Sequence, residues 1–227
     1  MTLKEIIAQL KKHSNPKDKE EMARFGINTK YALGIRIPTL RNLAKKIGKN
    51  HKLAQDLWKT KIHEVRILAS MIDEPKKVTE KQMEQWVKEF NSWDLCDQCC
   101  MNLFDKLPFA FEKAVEWSKR KEEFTKRAGF TLMACLAWHN KKAKDKDFIK
   151  FLPVIKRNST DERNFVKKAV NWALRNIGKR NVNLNKLAIK TAKEIQKIDS
   201  KTAKWIASDA LRELQGKTYQ KRLKVVK

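Results

Sequence analysis

The chain is short of the residues that break helices and turn strands. It has 6 Gly and 5 Pro in 227 residues, which argues against disorder and against a turn-rich β fold. No run alternates polar and apolar residues as a half-buried strand would. Long apolar runs are missing too. No stretch approaches a membrane span, and the opening Met1-Thr2-Leu3-Lys4-Glu5 leads into no signal-peptide core, so a cytoplasmic protein is expected. Cysteine is confined to Cys96, Cys99, Cys100 and Cys135. Three of these lie within five positions, which is no disulfide framework and suits a reducing compartment. The four histidines, His13, His51, His63 and His139, form no cluster or triad-like pattern. Neither GxGxxG nor GxxxxGK[ST] occurs, so nucleotide-dependent chemistry has no support. Acidic residues are outnumbered: 26 Asp and Glu face 52 Lys and Arg, for a net charge of +26. A compact domain that basic bears self-repulsion, which points to a polyanionic partner, nucleic acid first. No segment reads as a basic amphipathic anchor, so a membrane partner is not expected.

What remains is rich in Lys, Ala, Leu, Glu, Arg and Gln, the strong helix formers, with a hydrophobic content of 41% that can build a core. Almost every segment repeats its apolar residues at a period of 3.6. Leu3, Ile6, Ile7 and Leu10 open a first helix. Asn15 caps a second, with Pro16 in its first turn. Residues 34–38 form a loop, Pro38 starts a helix through Ile47, and Gly48 stops it. Further helices are expected near 51–59, 62–72, 79–89, 93–105, 109–119, 122–139, 145–157, 162–177, 183–196 and 201–215. The expected organisation is a single domain over 1–216 and a basic, frayed tail over 217–227.

Fragments of this pattern recur. Val65-Arg66-Ile67-Leu68-Ala69, Lys126-Arg127-Ala128-Gly129-Phe130 and Lys167-Lys168-Ala169-Val170-Asn171 each place a cation before small and apolar residues, and Ala173-Leu174-Arg175 returns as Ala210-Leu211-Arg212. Arg66 and Arg127 are 61 residues apart, Arg127 and Lys168 are 41 apart, and Asp97 falls 31 after Arg66. Helix pairs repeating every 30–40 residues are the spacing of an all-α, HEAT-like solenoid. The alternative is an irregular helical bundle. In a solenoid, equivalent positions of the inner helices line a concave wall, here Arg66, Asp97, Arg127 and Lys168. That is a basic channel with one carboxylate, able to follow duplex phosphates by charge alone.

The segment Ser92-Trp93-Asp94-Leu95-Cys96-Asp97 carries the candidate chemistry. Ser92 is suited to a helix N-cap, and Trp93 and Asp97, four apart, share a helix face. An indole beside a carboxylate can hold a sugar against a negative charge. That arrangement suits cleavage of a glycosidic bond through a cationic transition state, with the carboxylate stabilising the oxocarbenium ion and positioning water. Taken alone the pair is better read as a packing tryptophan and a surface aspartate. Trp172, one turn beyond Lys168, adds a second indole on a cationic helix face. The other five tryptophans are expected to pack in the core.

Gly34-Ile35-Arg36-Ile37-Pro38-Thr39-Leu40-Arg41, Ser92-Trp93-Asp94-Leu95-Cys96-Asp97, Lys126-Arg127-Ala128 and Phe165–Arg175 together resemble the signatures of the AlkD-type HEAT-like repeat DNA glycosylases, in the same order and over about residues 20–215. The resemblance implies a superhelix that grips duplex DNA and excises positively charged N3- and N7-alkylpurines without a metal or organic cofactor and without flipping the lesion. It implies Asp97 as the catalytic carboxylate, Trp93 and Trp172 as the cradle of the lesion's sugar, and Arg127 as a backbone contact. Lys168 and Arg66 are further DNA contacts expected from the repeat alignment. The context Cys96-Asp97-Gln98-Cys99-Cys100 departs from the best-known members.

Other readings remain. Cys96 and Cys99, with Cys135 and His139, are the one set that could complete a zinc site, but cysteine is so often a small buried hydrophobe that no metal is expected. A non-catalytic module for damaged or branched DNA would use the same channel, and a protein-binding HEAT scaffold is the third class. A monomer suits a groove-type binder.

Overall fold

The computed structural model describes residues 1–225. Among them are fifteen α-helices, two short 3₁₀ turns and no strand. The chain gathers into two compact units, one from Met1 to Leu107 and one from Pro108 onward, where a single domain over 1–216 was expected.

The first unit contains α1 (Leu3–Lys12), α2 (Pro16–Arg24), α3 (Ile37–Ile47), α4 (His51–Lys59), α5 (His63–Ile72), α6 (Glu80–Lys88) and α7 (Trp93–Asn102). Their boundaries follow local chemistry. Thr2 and Glu5 form a reciprocal capping box on α1. The Asn15 side chain accepts from the Lys17 N–H at 3.0 Å, with Pro16 opening α2. Asn50 caps α4 and Thr79 caps α6 in the same way. Gly48, at φ +76°, ends α3.

Helix α5 is the axis of this unit, packed against α3, α4 and α7. Nine of its ten residues are buried, so its polar side chains must find partners inside the protein. Glu64 does so by gathering the chain ahead of α3. Its carboxylate accepts from the backbone N–H groups of Leu33, Gly34 and Ile35 at 2.8–3.2 Å. Gly34 sits at φ +76°, and a Cβ there would lie 2.1 Å from the Asn15 carbonyl oxygen. Gly34→Ala therefore has both a strained backbone and a blocked side chain. It should destabilise the protein by at least about 2 kcal/mol, read as a lowered urea midpoint. Beside α5, Trp58 and Trp86 stack at 3.9 Å in near-parallel planes and close the core with Phe90 and Phe104.

The second unit contains α8 (Ala110–Trp117), α9 (Glu123–His139), α10 (Asp145–Ile149), α11 (Phe151–Arg157), α12 (Asn164–Gly178), α13 (Val182–Gln196), α14 (Lys201–Leu214) and α15 (Lys217–Val225). Successive helices pair: α8 on α9, α12 on α13 and α13 on α14, with α9 laid along α12. Gly129 permits the first of these approaches. A Cβ there would lie 2.6 Å from the Ser118 amide nitrogen and 2.8 Å from the Ala114 carbonyl.

Residues 217–225, expected as part of a basic, frayed tail, form α15. Gln220 holds it by donating to the Asn185 side chain at 3.1 Å and to the Leu214 carbonyl at 2.6 Å, and Leu223 is buried. Residues 226–227 lie outside the described part of the chain. No helix among the described residues is long and apolar enough to cross a membrane.

Candidate active site

Helix α7 presents Trp93, Asp94 and Asp97 to a cavity of about 630 Å³ within the first unit. The floor and far wall come from α5, through His63, Glu64 and Ile67, and from the 34–38 loop that Glu64 clamps. Helix α2 closes the third side with Asp18 and Glu21, joined by Phe25 just past its end. The indole Nε1–H of Trp93 donates to the Phe25 carbonyl at 3.0 Å, which fixes the ring against the end of α2. The four-residue spacing thus places Trp93 and Asp97, both half-buried, in one cavity.

The charge of that cavity is opposite to the charge of the protein. Asp18, Glu21, Glu64, Asp94 and Asp97 line it, against one guanidinium (Arg36) and one imidazole (His63), in a chain of net charge +26. Arg36 makes a forked contact with Asp18, at 2.7 and 3.0 Å, and holds that carboxyl below the usual range. Between the charges the walls are apolar, from Met22, Ile35, Pro38 and Met101. Carboxylates set in apolar walls attract a cation more strongly than they would in open water.

His63 and Asp94 form a buried pair that was not legible in the sequence. His63 opens α5 and is 4% exposed. Its Nε2 lies 2.7 Å from the Asp94 carboxylate. Ser92 caps α7 in position only. Its hydroxyl donates to the other Asp94 oxygen at 2.7 Å instead of accepting from a helix N–H. Burial opposes charge on both partners, yet their mutual hydrogen bond and attraction win. His63 titrates above its ordinary value, and Asp94 below its own with help from Ser92. Stabilisation from a raised histidine is complete below the ordinary imidazole range and is lost as pH rises through the folded-state value. Stabilisation from a lowered carboxylate is complete above the ordinary carboxylate range and is lost as pH falls through the folded-state value. The pair therefore contributes most in weakly acidic solution, and its contribution declines toward alkaline pH. Thermal melts of the wild type should show this decline between about pH 5.5 and about pH 8.5. The His63→Gln, Asp94→Asn double variant should lack it, and equal pH profiles would rule the pair out as its source.

The other expected site residues fare differently. Arg66, expected as a DNA contact, is 6% exposed and serves the core of the first unit. Its guanidinium lies over Trp58, donates to the Trp58 carbonyl and pairs with Glu89. On a helix buried all round, a cation is retained only where such partners exist, and these spend its fork. In the second unit, Arg127 is 5% exposed and donates to the Phe165 carbonyl at 2.5 Å, tying α9 to α12 instead of presenting a phosphate fork to solvent. Lys168 is exposed on α12, and Trp172, one turn later, is half-buried and lines a second cavity within that unit. The four cysteines are buried thiols, and burial together with Cys96 raises Cys99 well above its ordinary value.

Paired helices recurring through the chain define a helical-repeat protein, and comparison with known proteins agrees. The model of the family described as DNA alkylation repair enzyme matches residues 6–214, so the chain belongs to that family. A solved structure described as "a new family of proteins related to the HEAT-like repeat DNA glycosylases with affinity for branched DNA structures" is similar at a TM-score of 0.77 and 22% identity. The match covers 95% of this chain and 97% of that one. The fold is therefore an α-solenoid of HEAT-like repeats. A designed armadillo repeat protein in complex with a (KR)4 peptide is similar only at a TM-score of 0.40 and 14% identity, over 95% and 90% of the two chains. No curated protein matches.

Proposed function

We propose that the protein is a DNA glycosylase that binds duplex DNA in a basic channel and hydrolyses the N-glycosidic bond of positively charged N3- and N7-alkylpurines. The observation that carries this reading is the acidic, apolar-walled cavity holding Trp93 and Asp97 inside a protein of net charge +26. The excess positive charge attracts the phosphates. The cavity reverses the sign where positive charge on the base, and then on the sugar, must be met.

In the reaction, the C1′–N bond breaks with its electron pair leaving on the purine, which neutralises the base. The sugar becomes an oxocarbenium ion beside the Asp97 carboxylate. Water adds to C1′ and gives up its proton to the Asp97 carboxylate, leaving an abasic site and the free base. Asp94 is engaged by His63 and Ser92, so its part is to hold α7 in place. Trp93, anchored on the Phe25 carbonyl, offers a fixed aromatic wall to the sugar. Lys168, exposed on α12, is assigned to a phosphate. Membership of the DNA alkylation repair family and a fold shared with relatives of DNA glycosylases support this assignment.

Incubation with methylated duplex DNA should release 7-methylguanine or 3-methyladenine. DNA binding that weakens steeply with salt, without release of base, would instead support a non-catalytic module. That second reading is favoured by the affinity of the similar solved protein for branched DNA.

A further inference from the structure

The second unit has its own cavity, of about 430 Å³, where the C-terminal end of α9 meets α12. Two tryptophans line it, Trp138 and Trp172, with Lys141 in the turn that follows α9. Trp138 is 52% exposed, a large indole surface left to water at the end of an otherwise buried helix. Its ring is not adrift. The His139 ring lies 4.7 Å away, tilted by 30°, and supports the indole from one side. The turn carrying Lys141 is also fixed. Arg180 donates to the Ala137 carbonyl at 3.0 Å and to the Ala143 carbonyl at 2.8 Å, and its guanidinium lies over Phe148.

The charges at the cavity sort by what they already hold. Arg180 is spent on backbone and ring, and burial lowers its pKa. Lys179 is paired with Glu213. Lys141 is exposed at the cavity and is in no ion pair among the described residues. No carboxylate lines this cavity, in contrast to the one in the first unit. The ligand it suits is flat, apolar on its faces and singly anionic at one end. An acidic peptide would find one cation and no flat partner for the indoles. A paired duplex keeps its base faces stacked inside the helix, out of reach of an indole. A volume of this size falls in the range of small-ligand sites, about 300–1,000 Å³.

We propose that this cavity is a subsite for one unpaired nucleotide of a DNA strand, its base laid on the Trp138 indole and its phosphate on Lys141. The subsite rests on the DNA-binding part of the function proposed above and not on base release. It gives the protein a means of favouring DNA whose stacking is interrupted.

Fluorescence anisotropy with the full chain tests it, using a paired duplex and the same duplex bearing one extrahelical nucleotide. The wild type should bind the second about tenfold more tightly, the order that stacking one base on an aromatic ring supplies. Trp138→Ala should lose that preference while keeping its affinity for the paired duplex, and Trp138→Phe should retain most of it. Trp138 is half-exposed, so its truncation opens no core. Lys141→Ala should weaken binding of the interrupted duplex and reduce its salt slope by about one unit. Equal affinity of the wild type for the two DNAs overturns the subsite alone, as does a Trp138→Ala variant that keeps the preference or weakens both equally. Absence of binding to either DNA at low salt overturns the DNA-binding reading as well.

Discussion

Asp97→Asn should bind alkylated duplex DNA as tightly as the wild type and release its base about 10²–10³-fold more slowly. The substitution conserves shape and leaves Trp93 on its Phe25 anchor, so the walls of the cavity stay in place. It removes the negative charge that faces the developing sugar cation, and a group acting only in the transition state lowers turnover without changing affinity. The measurement is single-turnover release of 7-methylguanine beside a binding titration on the same DNA. Equal release rates in the two proteins would take Asp97 out of the mechanism. A parallel loss of affinity would recast it as a binding residue.

Glu64→Ala should cost about 3–5 kcal/mol of stability, because three backbone N–H groups in and beside the buried 34–35 loop lose their acceptor at once. Glu64→Gln should fall between the two. Its amide oxygen still accepts, but its NH2 group turns a donor toward donors. Urea unfolding gives the stability, and base release should fall with it, since the same loop walls the cavity proposed to carry the reaction. An unchanged urea midpoint in Glu64→Ala would show that other contacts hold the loop.

These two residues also mark the reach of sequence reading. Asn15 with Pro16, the stop at Gly48 and the shared face of Trp93 and Asp97 were legible because capping and helical spacing act within a turn or two. The helix pairs were legible because their apolar periodicity is local. Partnerships across one repeat were not. Glu64 binds a loop about 30 residues earlier, His63 meets Asp94 31 residues later, and Arg66 is neutralised by Glu89 23 residues on. Arg66 and Arg127, expected from the repeat alignment as groove cations, also hold backbone carbonyls, because a sequence shows a charge but not the partners it finds. Trp138 was passed over for the opposite reason. It ends an apolar run in α9, a helix buried on every side, so periodicity held no clue to which residue emerges.

The acidic cavity of the first unit bears on the end of the reaction as well as its start. In the reaction proposed above, its carboxylates other than Asp97 face a charged lesion, but bond cleavage leaves the departing purine neutral. The attraction that seats the substrate is thereby extinguished by the chemistry it serves. Free alkylpurine should accordingly be a poor competitive inhibitor, and turnover should be paced by the abasic DNA strand held on the basic surface, which added salt would hasten on its way.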